Sequence, residues 1–411
     1  MYITRKIERT ILKYIHSPEI IAIVGPRQSG KTTLLRHIYD GLGSKAIFLT
    51  FEDNKLLNLF VQNIDIFIRD YIKPYDYIFI DEFHYAKKGG KLLKYIIDTN
   101  KKKIFVSGSS TIELSVQTVK HLVGRIFVFN LFQFDFEEFL IAKKPKLVNE
   151  YRKFKMDIND LAARDINQPT EHVMGKLKSN YEEYAVFGGY PRVVLSKKIE
   201  EKKIVLKNIY NTYFLREVKD ILGLVDDYKM AQMIKALALQ IGGLIEYGEI
   251  SKTSEMSFQT VKGYTNFLQK TFITHFIKPF FKNKRTEIVK NPKPYFFDTG
   301  LRNYVVDDFR GIDERPDGGH LLENAVAMQM IKSEKTFRFW RSKRKSEIDF
   351  IVDLPNGKSA ALEIKKSFDI QDVKSQSARD FTNTYKEIPL IFCSYHNRDS
   401  ANDRSVPAVF I

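Results

Sequence analysis

The chain has 411 residues, 44% apolar and 28% charged, and this balance excludes wholesale disorder and a fibrous architecture. A chain of this length exceeds one hydrophobic core, so two to four domains are expected. The net charge of +16 favours a polyanionic partner, with DNA as the leading candidate. A composition that reflects genome bias or growth temperature is the alternative explanation of this charge.

Signals for cross-linking and membrane targeting are absent from the sequence. Cys393 is the only cysteine, which excludes an intrachain disulfide or a Cys-rich zinc site and fits a reducing compartment. The N-terminal segment lacks the apolar core of a signal peptide, and no apolar run approaches the ~20 residues that span a bilayer. A cytoplasmic protein with no membrane partner is therefore expected.

Residues 1–134 carry five short β-rich apolar runs that alternate with amphipathic stretches. Strands separated by helical segments of this length predict an α/β fold with a buried parallel sheet and crossover helices on both faces. The predicted strands are 19–25, 45–51, 75–83, 103–108 and 125–131.

The segment GPRQSGKT, residues 25–32, follows the first strand and opens a helix, which is the pattern of a phosphate-binding P-loop. Gly25 and Gly30 allow the loop to curl so that its N–H groups face the phosphates. Lys31 supplies a cation to the β- and γ-phosphates, and Thr32 supplies a hydroxyl ligand for Mg²⁺. The predicted ATP-binding residues are Gly25, Pro26, Arg27, Gln28, Ser29, Gly30, Lys31, Thr32, Thr33 and Asp81.

Two carboxylates, Asp81 and Glu82, end the third predicted strand. Asp81 is predicted to hold Mg²⁺ through water, and Glu82 to polarise the water that attacks ATP. A further strand follows this pair, as in ATPases whose Lys and Asp strands are separated in space. Ser109 or Ser110 at its end either senses the γ-phosphate or simply terminates the strand. Arg125 is a candidate catalytic arginine finger or sensor, with a salt-bridge role as the alternative.

The middle of the chain is predicted to be mainly helical, with a lid or connector in residues 135–227 and a winged helix in residues 228–315. Residues 247–270 have the spacing of a helix-turn-helix, with Ser257 as the N-cap of the second helix. The alternative is that the winged helix has only a structural role or docks a protein. The predicted DNA contacts are Gln259, Thr260, Lys262, Lys270, Lys282, Lys284 and Arg285.

The C-terminal segment, residues 316–411, is predicted to form a small α/β domain that contains Glu323, Asp349, Glu363 and Lys365. Strand alternation puts Glu363 and Lys365 on one face, and Asp349 precedes Glu363 by the length of a β-hairpin. Carboxylates that meet there can hold Mg²⁺, with Glu323 assisting, while Glu363 and the Lys365 ammonium act in catalysis. Phosphate contacts are predicted for Trp340, Arg341, Lys343, Arg344 and Lys345, with a solvated loop as the alternative.

This constellation resembles the PD-(D/E)xK nuclease fold, of which catalytically silent versions exist. Nearly the whole chain resembles a widespread prokaryotic family of AAA-like ATPases with a C-terminal nuclease-like domain. The resemblance rests on GPRQSGKTTLL, FIDE, VSGSS, LVGR, FEEFL, VFGGYPRVV, YFFDTGLRNY, LLEN, EIDFIV and ALEIKKS. It implies an ATPase core, a DNA-binding winged helix and a restriction-endonuclease-like fold. Residues 132–135 replace the Pro-containing turn of relatives, and the polar stretch after Pro145 is longer than in them.

The expected function is that of a Mg²⁺-dependent ATPase that acts on DNA, with cleavage by the C-terminal domain left open. One alternative keeps the nuclease fold as a silent DNA-binding or docking platform. Another is a signalling NTPase that switches a protein partner and does not bind DNA. A homo-oligomer is allowed, and the sequence leaves open whether Arg125 acts within its own subunit or on a neighbour.

Overall fold

The structure, a computed structural model, describes residues 2–109, 121–156, 169–215, 227–281, 291–355, 357–397 and 405–411. It divides into two compact units. The first unit is Met1–Phe134 with Lys270–Phe272, and the second is Asp135–Gln269 with Ile273–Ile411. The predicted lid, winged-helix and C-terminal segments thus lie within one compact unit.

The first unit contains the predicted parallel sheet, and each strand lies within one or two residues of its predicted bounds. Its strands are β1 Ile20–Val24, β2 Ala46–Thr50, β3 Tyr77–Asp81, β4 Lys103–Gly108 and β5 Ile126–Asn130. Its helices are α1 Lys6–Lys13, α2 Lys31–Asp40, α3 Asn54–Gln62, α4 Ile64–Phe67 and α5 Gly89–Asn100.

The strands of this sheet are parallel and lie in the order β2-β3-β4-β1-β5. Strand β4 therefore separates β1, which precedes the P-loop, from β3, which ends in Asp81, and the prediction of an additional strand between them is confirmed. Alternate residues of β1 enter two different apolar clusters. The sheet is thus buried on both faces, as its continuously apolar strands require.

The second unit begins with helices that cover the predicted lid and connector. They are α6 Phe136–Lys143, α7 Pro145–Phe154, α8 Glu171–Phe187, α9 Pro191–Leu195 and α10 Ile199–Ile209. A capping box at Asp135 and Glu138 starts α6. The backbone N–H of Gly189, in the turn after α8, donates to Asp298 at 2.8 Å, so this turn is fixed to a distant part of the chain.

Three helices and a two-stranded antiparallel ribbon follow. They are α11 Asp227–Leu239, α12 Tyr247–Ser254, α13 Phe258–Lys270, β6 Thr274–Ile277 and β7 Lys293–Phe296. The backbone N–H of Thr260 donates to Ser257 Oγ at 3.1 Å, so Ser257 caps α13 as predicted. The predicted wing turn with Lys282, Lys284 and Arg285 lies outside the described residues.

The C-terminal part of the second unit is a five-stranded mixed sheet in the order β12-β11-β10-β9-β8. The hairpin β9–β10 is antiparallel, whereas β10, β11 and β12 are parallel. Its strands are β8 Phe337–Arg341, β9 Glu347–Asp353, β10 Ser359–Phe368, β11 Leu390–Asn397 and β12 Ser405–Pro407, and the helices around them are α14 Thr299–Val306, α15 Gly318–Lys332 and α16 Gln376–Thr384. Over the described ranges, none of the helices has the length and apolar character needed to cross a bilayer.

Candidate functional site

The P-loop connects β1 to α2 at the carboxyl edge of the first sheet. Gly25 has φ +156° and lies close to Leu131, which follows β5. A Cβ added at Gly25 would fall 2.1 Å from the carbonyl oxygen of Leu131. Gly30 caps α2 with φ +99°, a left-handed value that favours glycine. Both glycines are therefore required by the backbone path, and the loop ends at a helix N-terminus suited to an anion.

Lys31 folds back over this loop. Its Nζ donates hydrogen bonds to the carbonyl oxygens of Gly25 and Pro26, each at 3.0 Å, and its side chain is only 5% exposed. The ammonium is thus held at the mouth of the loop, where the phosphates of a nucleotide would meet it. Thr32 follows on the first turn of α2, partly buried, and Thr33 is exposed.

Asp81 and Glu82 lie at the same edge of the sheet, at the end of β3. Asp81 is buried and accepts a hydrogen bond from the hydroxyl of Ser107 on β4. The backbone N–H of Glu82 donates to the same hydroxyl oxygen at 3.1 Å. Ser107 therefore fixes both the carboxylate and the turn behind it, and sequence reasoning, which considered only Ser109 and Ser110, missed it.

Glu82 has a backbone φ of +52°, which turns the chain sharply after β3. Its Oε2 lies 3.0 Å from His84 Nδ1. Burial opposes ionisation of this carboxyl, but His84 and the positive charges of Lys31 and Arg27 outweigh it, so the pKa of Glu82 is lower than usual. Glu82 thus carries a negative charge near the P-loop, as a residue that polarises water requires.

Arg5 is a second residue of this region that the sequence did not reveal. Its buried guanidinium donates to the carbonyl oxygens of Ser29 and Phe132, both at 2.7 Å, and lies 4.8 Å from the centre of the Phe134 ring. These bonds connect the N-terminal segment to the P-loop and to the segment after β5. Arg5 therefore supports the loop that carries Lys31.

The remaining predicted residues of the first unit are placed differently. Ser109 is buried at the end of β4, and Ser110 lies outside the described residues. Arg125 precedes β5, so it lies at the amino edge of the sheet, opposite the P-loop, and its Nε bonds Asp98 at 3.1 Å. Because parallel strands place their starts and ends at opposite edges, Arg125 lies away from the P-loop of its own subunit. The contact with Asp98 fits the alternative salt-bridge role, and action on a neighbouring subunit stays a prediction.

The exposed face of α13 contains several of the predicted DNA-contacting residues. Gln259, Lys262 and Lys270 are exposed, and Thr260 is partly buried. The Lys262 ammonium lies 5.4 Å from the centre of the Phe258 ring, which is itself half exposed. A cation next to an exposed aromatic ring suits contacts to a nucleic acid backbone and base.

Asp349 and Glu363 meet across the β9–β10 hairpin. The register pairs Leu362 with Phe350, so the next pair in the ladder is Glu363 with Asp349. Asp349 Oδ2 accepts the backbone N–H of Ile364 at 2.8 Å. Burial raises the pKa of Asp349 well above its usual range, and the carboxylates of Glu363 and Glu323 add to this effect.

Glu363 has one satisfied and one unsatisfied oxygen. Its Oε1 bonds the Lys365 ammonium at 2.8 Å, and the same-face placement of these two residues is confirmed. Its Oε2 is buried and has no hydrogen-bond partner within the part of the chain that the structure describes. A buried carboxylate oxygen without a donor fits a cation or a proton, because leaving it bare is costly.

Glu323 does not join these two acids as a third open ligand. Its oxygens are held by the Tyr295 hydroxyl, by His320 Nδ1 at 3.4 Å and by the Lys293 ammonium at 3.5 Å. Among the described residues, no three His, Cys, Asp or Glu side chains are grouped as a metal site. The predicted set of Glu323, Asp349 and Glu363 is thus not assembled as three free carboxylates.

The predicted phosphate-contacting patch before Asp349 is divided. Trp340 is buried, and its ring lies 5.2 Å from that of Phe381 and 6.3 Å from that of Tyr385, so its assignment to a phosphate-binding surface is wrong. Arg341 pairs with Glu347 at 3.4 Å. Lys343, Arg344 and Lys345 remain exposed in the turn between β8 and β9.

Three family models match successive parts of the chain. Residues 17–140 match the model of an AAA domain. Residues 178–313 and 318–409 match two domains of unknown function, DUF8612 and DUF4143. Together with the strand order, the first match identifies an AAA-like P-loop nucleotide-binding domain of the ATPase type.

Full-length relatives share low identity over most of the chain. A Haemophilus influenzae protein described as uncharacterized is 25% identical over 357 residues, 83% of this chain and 81% of the relative. An uncharacterized protein of Methanocaldococcus jannaschii is 22% identical over 349 residues, 81% of this chain and 72% of the relative. The match to these proteins therefore extends over both units.

The solved structures that the chain matches include RuvB of Thermotoga maritima, with a TM-score of 0.35, 14% identity and coverage of 67% of this chain and 90% of that chain. The Aeropyrum pernix ORC1 protein, solved in complex with DNA, has a TM-score of 0.31, 13% identity and coverage of 75% and 93%. Superpositions at this level carry no functional information.

Proposed function

We propose that this chain is a Mg²⁺-dependent ATPase that acts on DNA, with hydrolysis in the first unit. The observation that carries the proposal is the convergence at one sheet edge of Lys31, Asp81 and an ionised Glu82. This combination of a cation, a metal-binding carboxylate and a base is what phosphoryl transfer to water requires.

Each residue has a separate role in this proposal. Lys31 exchanges its bonds to the Gly25 and Pro26 carbonyls for bonds to the β- and γ-phosphates. Thr32 and Asp81 would hold Mg²⁺, Asp81 being oriented by Ser107. Glu82 orients the attacking water. ATP with Mg²⁺ supplies the reactive phosphate and the charge neutralisation.

Phosphate release and nucleotide binding, measured separately, test the ATPase. Lys31→Ala is expected to lose ATP binding and hydrolysis, whereas Glu82→Gln is expected to bind ATP and lose hydrolysis. Lys55→Ala, an exposed lysine on α3, is the matched control for Lys31→Ala. Turnover by Lys31→Ala at the wild-type rate would refute the assignment of the site.

Three features support DNA as the partner of the second unit. The chain has a net charge of +16. Helices α12 and α13 are joined by the tight turn at Glu255, whose φ is +52°, and a β-ribbon follows them. The exposed face of α13 presents Gln259 and Lys262 beside Phe258. A recognition helix followed by a ribbon is the arrangement with which winged helices contact a groove and the adjacent backbone.

Metal-dependent cleavage of DNA by the second unit is a second candidate function, and the bare Oε2 of Glu363 favours it. Asp349 and Glu363 would hold one divalent ion, which would polarise a phosphodiester and activate water. Lys365, bonded to Glu363 at 2.8 Å, is placed to orient that water or to stabilise the developing phosphate charge.

Incubation of supercoiled and branched DNA with Mg²⁺ or Mn²⁺, with and without ATP, tests cleavage. Glu363→Gln removes a negative charge at nearly constant shape, and Glu387→Gln on the exposed surface is the control. Cutting by wild type and by Glu387→Gln, but not by Glu363→Gln, is expected. DNA binding without cutting in all three proteins would favour a silent nuclease fold, and ATP hydrolysis without DNA binding would favour an NTPase that regulates a protein partner.

A further inference from the structure

Lys293, the first residue of β7, is a charged side chain buried among carboxylates. It is 1% exposed, and its ammonium lies 3.5 Å from Glu323 Oε1 and in contact with Glu347. The ring of Phe339 also lies near it, with its centre 5.3 Å away. Although burial disfavours the charged form, the charges of Glu323, Asp349 and Glu347 outweigh it and raise the pKa of Lys293.

Both oxygens of Glu323 contact groups of the chain itself. Its Oε1 accepts from the Tyr295 hydroxyl and faces Lys293, and its Oε2 lies 3.4 Å from His320. Gly242 also approaches, since a Cβ added there would fall 2.7 Å from Oε2. A divalent ion at Glu323 would compete with these contacts and would be repelled by the Lys293 ammonium.

Glu363, in the Asp349–Glu363 pair, is less completely bonded. Glu363 Oε2 has no hydrogen-bond partner among the described residues. Lys365 holds only the other oxygen of this carboxylate. At one end of the carboxylate cluster, the oxygens of Glu323 are bonded to neighbouring groups that include Lys293. At the other end, Glu363 keeps one buried oxygen without a partner among the described residues.

We propose that Lys293 is a built-in cation that takes the place of a divalent ion at Glu323 and leaves Asp349 with Glu363 to bind a single divalent ion. The inference rests on the metal-binding part of the second candidate function. It differs from the expectation drawn from the sequence, in which Glu323 assists the metal. Glu323 becomes a positioning residue that anchors Lys293, and Lys293 sets how many ions the cluster accepts.

Binding of Mn²⁺ to the full-length, nucleotide-free protein, measured by calorimetry and by the loss of the free-Mn²⁺ electron paramagnetic resonance signal, tests the proposal. Glu323→Gln is expected to keep its Mn²⁺ affinity within about twofold of wild type, whereas Glu363→Gln is expected to lose at least about tenfold. Lys293→Gln frees Glu323 and is expected to bind an additional Mn²⁺. Equal loss of Mn²⁺ in Glu323→Gln and Glu363→Gln would overturn the proposal.

A measurement without bound metal separates this proposal from the candidate cleavage activity. In the presence of a chelator, Lys293→Gln is expected to melt at a lower temperature than Lys202→Gln, a control that also removes a buried, ion-paired lysine. Added Mn²⁺ should raise the melting temperature of Lys293→Gln more than that of the control. If wild type binds no Mn²⁺, the cleavage function and the metal-binding half of the proposal both fail, whereas this rescue still supports Lys293 as the internal cation.

Two results would contradict the internal cation in that assay. One is a Lys293→Gln protein that has the same melting temperature as Lys202→Gln and whose melting temperature does not rise when Mn²⁺ is added. The other is a Lys293→Gln/Glu323→Gln double variant that is less stable than Lys293→Gln, since removal of the second charge should restore part of the stability. If Lys293→Gln does not fold, the comparison of Glu323→Gln with Glu363→Gln still decides the question.

Discussion

The hydroxyl of Ser107 donates a hydrogen bond to the carboxylate of Asp81 at the carboxyl edge of the first sheet. Both side chains are buried. The two residues lie on adjacent strands and are 26 residues apart in sequence. The same hydroxyl accepts the backbone N–H of Glu82, so one small side chain orders both acids of the proposed hydrolytic site.

Replacement of Ser107 by Ala is expected to lower the kcat of ATP hydrolysis by about 10- to 100-fold, because a hydrogen bond to a charged group contributes about 1.5–3 kcal/mol. The KM for ATP should change less, since Lys31 and the loop remain intact. Steady-state phosphate release measures both constants. Thr99→Val, which removes a hydroxyl from the exposed face of α5, is the control. An unchanged kcat in Ser107→Ala would show that Asp81 needs no such support.

The pH dependence of hydrolysis should report the environment of Glu82. Since His84, Lys31 and Arg27 lower the pKa of Glu82 against the effect of burial, its carboxylate stays ionised at mildly acidic pH. The kcat of wild type should therefore stay level as the pH falls towards 5, above the ordinary Glu pKa of about 4.3. Removal of His84 lets burial dominate, so the acidic limb of His84→Ala should move to higher pH.

The control for this profile is Tyr85→Phe, which keeps the ring stacked on His84 and removes only a hydroxyl. Coincident acidic limbs in wild type and His84→Ala would refute the coupling of Glu82 to His84. A parallel melting curve at each pH distinguishes titration of the site from acid unfolding.

Arg125 provides a test of oligomeric action. Because it lies at the amino edge of the sheet and pairs with Asp98, Arg125→Ala should keep ATP hydrolysis within about threefold of wild type if the chain works as a monomer. A larger loss would require Arg125 to reach the site of a neighbouring subunit. Mixing Arg125→Ala with Glu82→Gln then restores activity, since each mixed interface can combine an intact Arg125 with an intact Glu82.

The local parts of the candidate site could be predicted from the sequence. Gly25, Lys31, Asp81, Glu82 and the Glu363–Lys365 pair belong to short patterns whose geometry follows from a strand, a turn or a helix start. Arg5, Ser107 and Lys293 could not be found in this way, because their partners are distant in sequence and nothing in a lone Arg, Ser or Lys indicates burial. These residues hold in place the groups that the patterns identify.

Two predicted assignments failed for physical reasons that involve strand geometry. Trp340 lies beside Arg341 and was expected at a surface, but a register shift between Arg338 and Trp340 places its ring in the core. Arg125 was considered as a sensor because of its residue type, although a residue directly before a parallel strand lies at the edge opposite the phosphates. The residue types suggested both roles; the register shift buries Trp340, and the strand direction places Arg125 away from the ATP site of its own subunit.

Lys262 tests the proposed DNA contact of α13. Its exposed ammonium is expected to neutralise one phosphate, so Lys262→Gln should weaken binding to DNA of any sequence and reduce the slope of log Kd against log salt by about one. Fluorescence anisotropy at several salt concentrations measures both effects. Lys235→Gln on α11, another exposed lysine, is the control. Equal affinities and slopes for the two variants would place the DNA contact elsewhere.

His275 on β6 should make the second unit sensitive to acid. Its ring lies 5.7 Å from those of Phe297 and Phe337, and burial lowers its pKa to about 4. Between this value and the ordinary pKa of about 6.5, the unfolded chain binds a proton that the folded chain does not. The contribution of neutral His275 to the free energy of unfolding is therefore fully present above pH 6.5. It decreases as the pH falls, by about 3 kcal/mol at most near pH 4.

His275→Phe keeps an aromatic ring and removes the titration, so its melting temperature should depend less on pH between 4 and 6.5 than that of wild type. His172→Gln, at an exposed position on α8, is the control and should follow wild type. Thermal unfolding followed by circular dichroism in steps of half a pH unit resolves the difference. If His275→Phe and wild type lose stability in parallel over this window, His275 is protonated in the folded chain, and the acid sensitivity comes from the carboxylates instead.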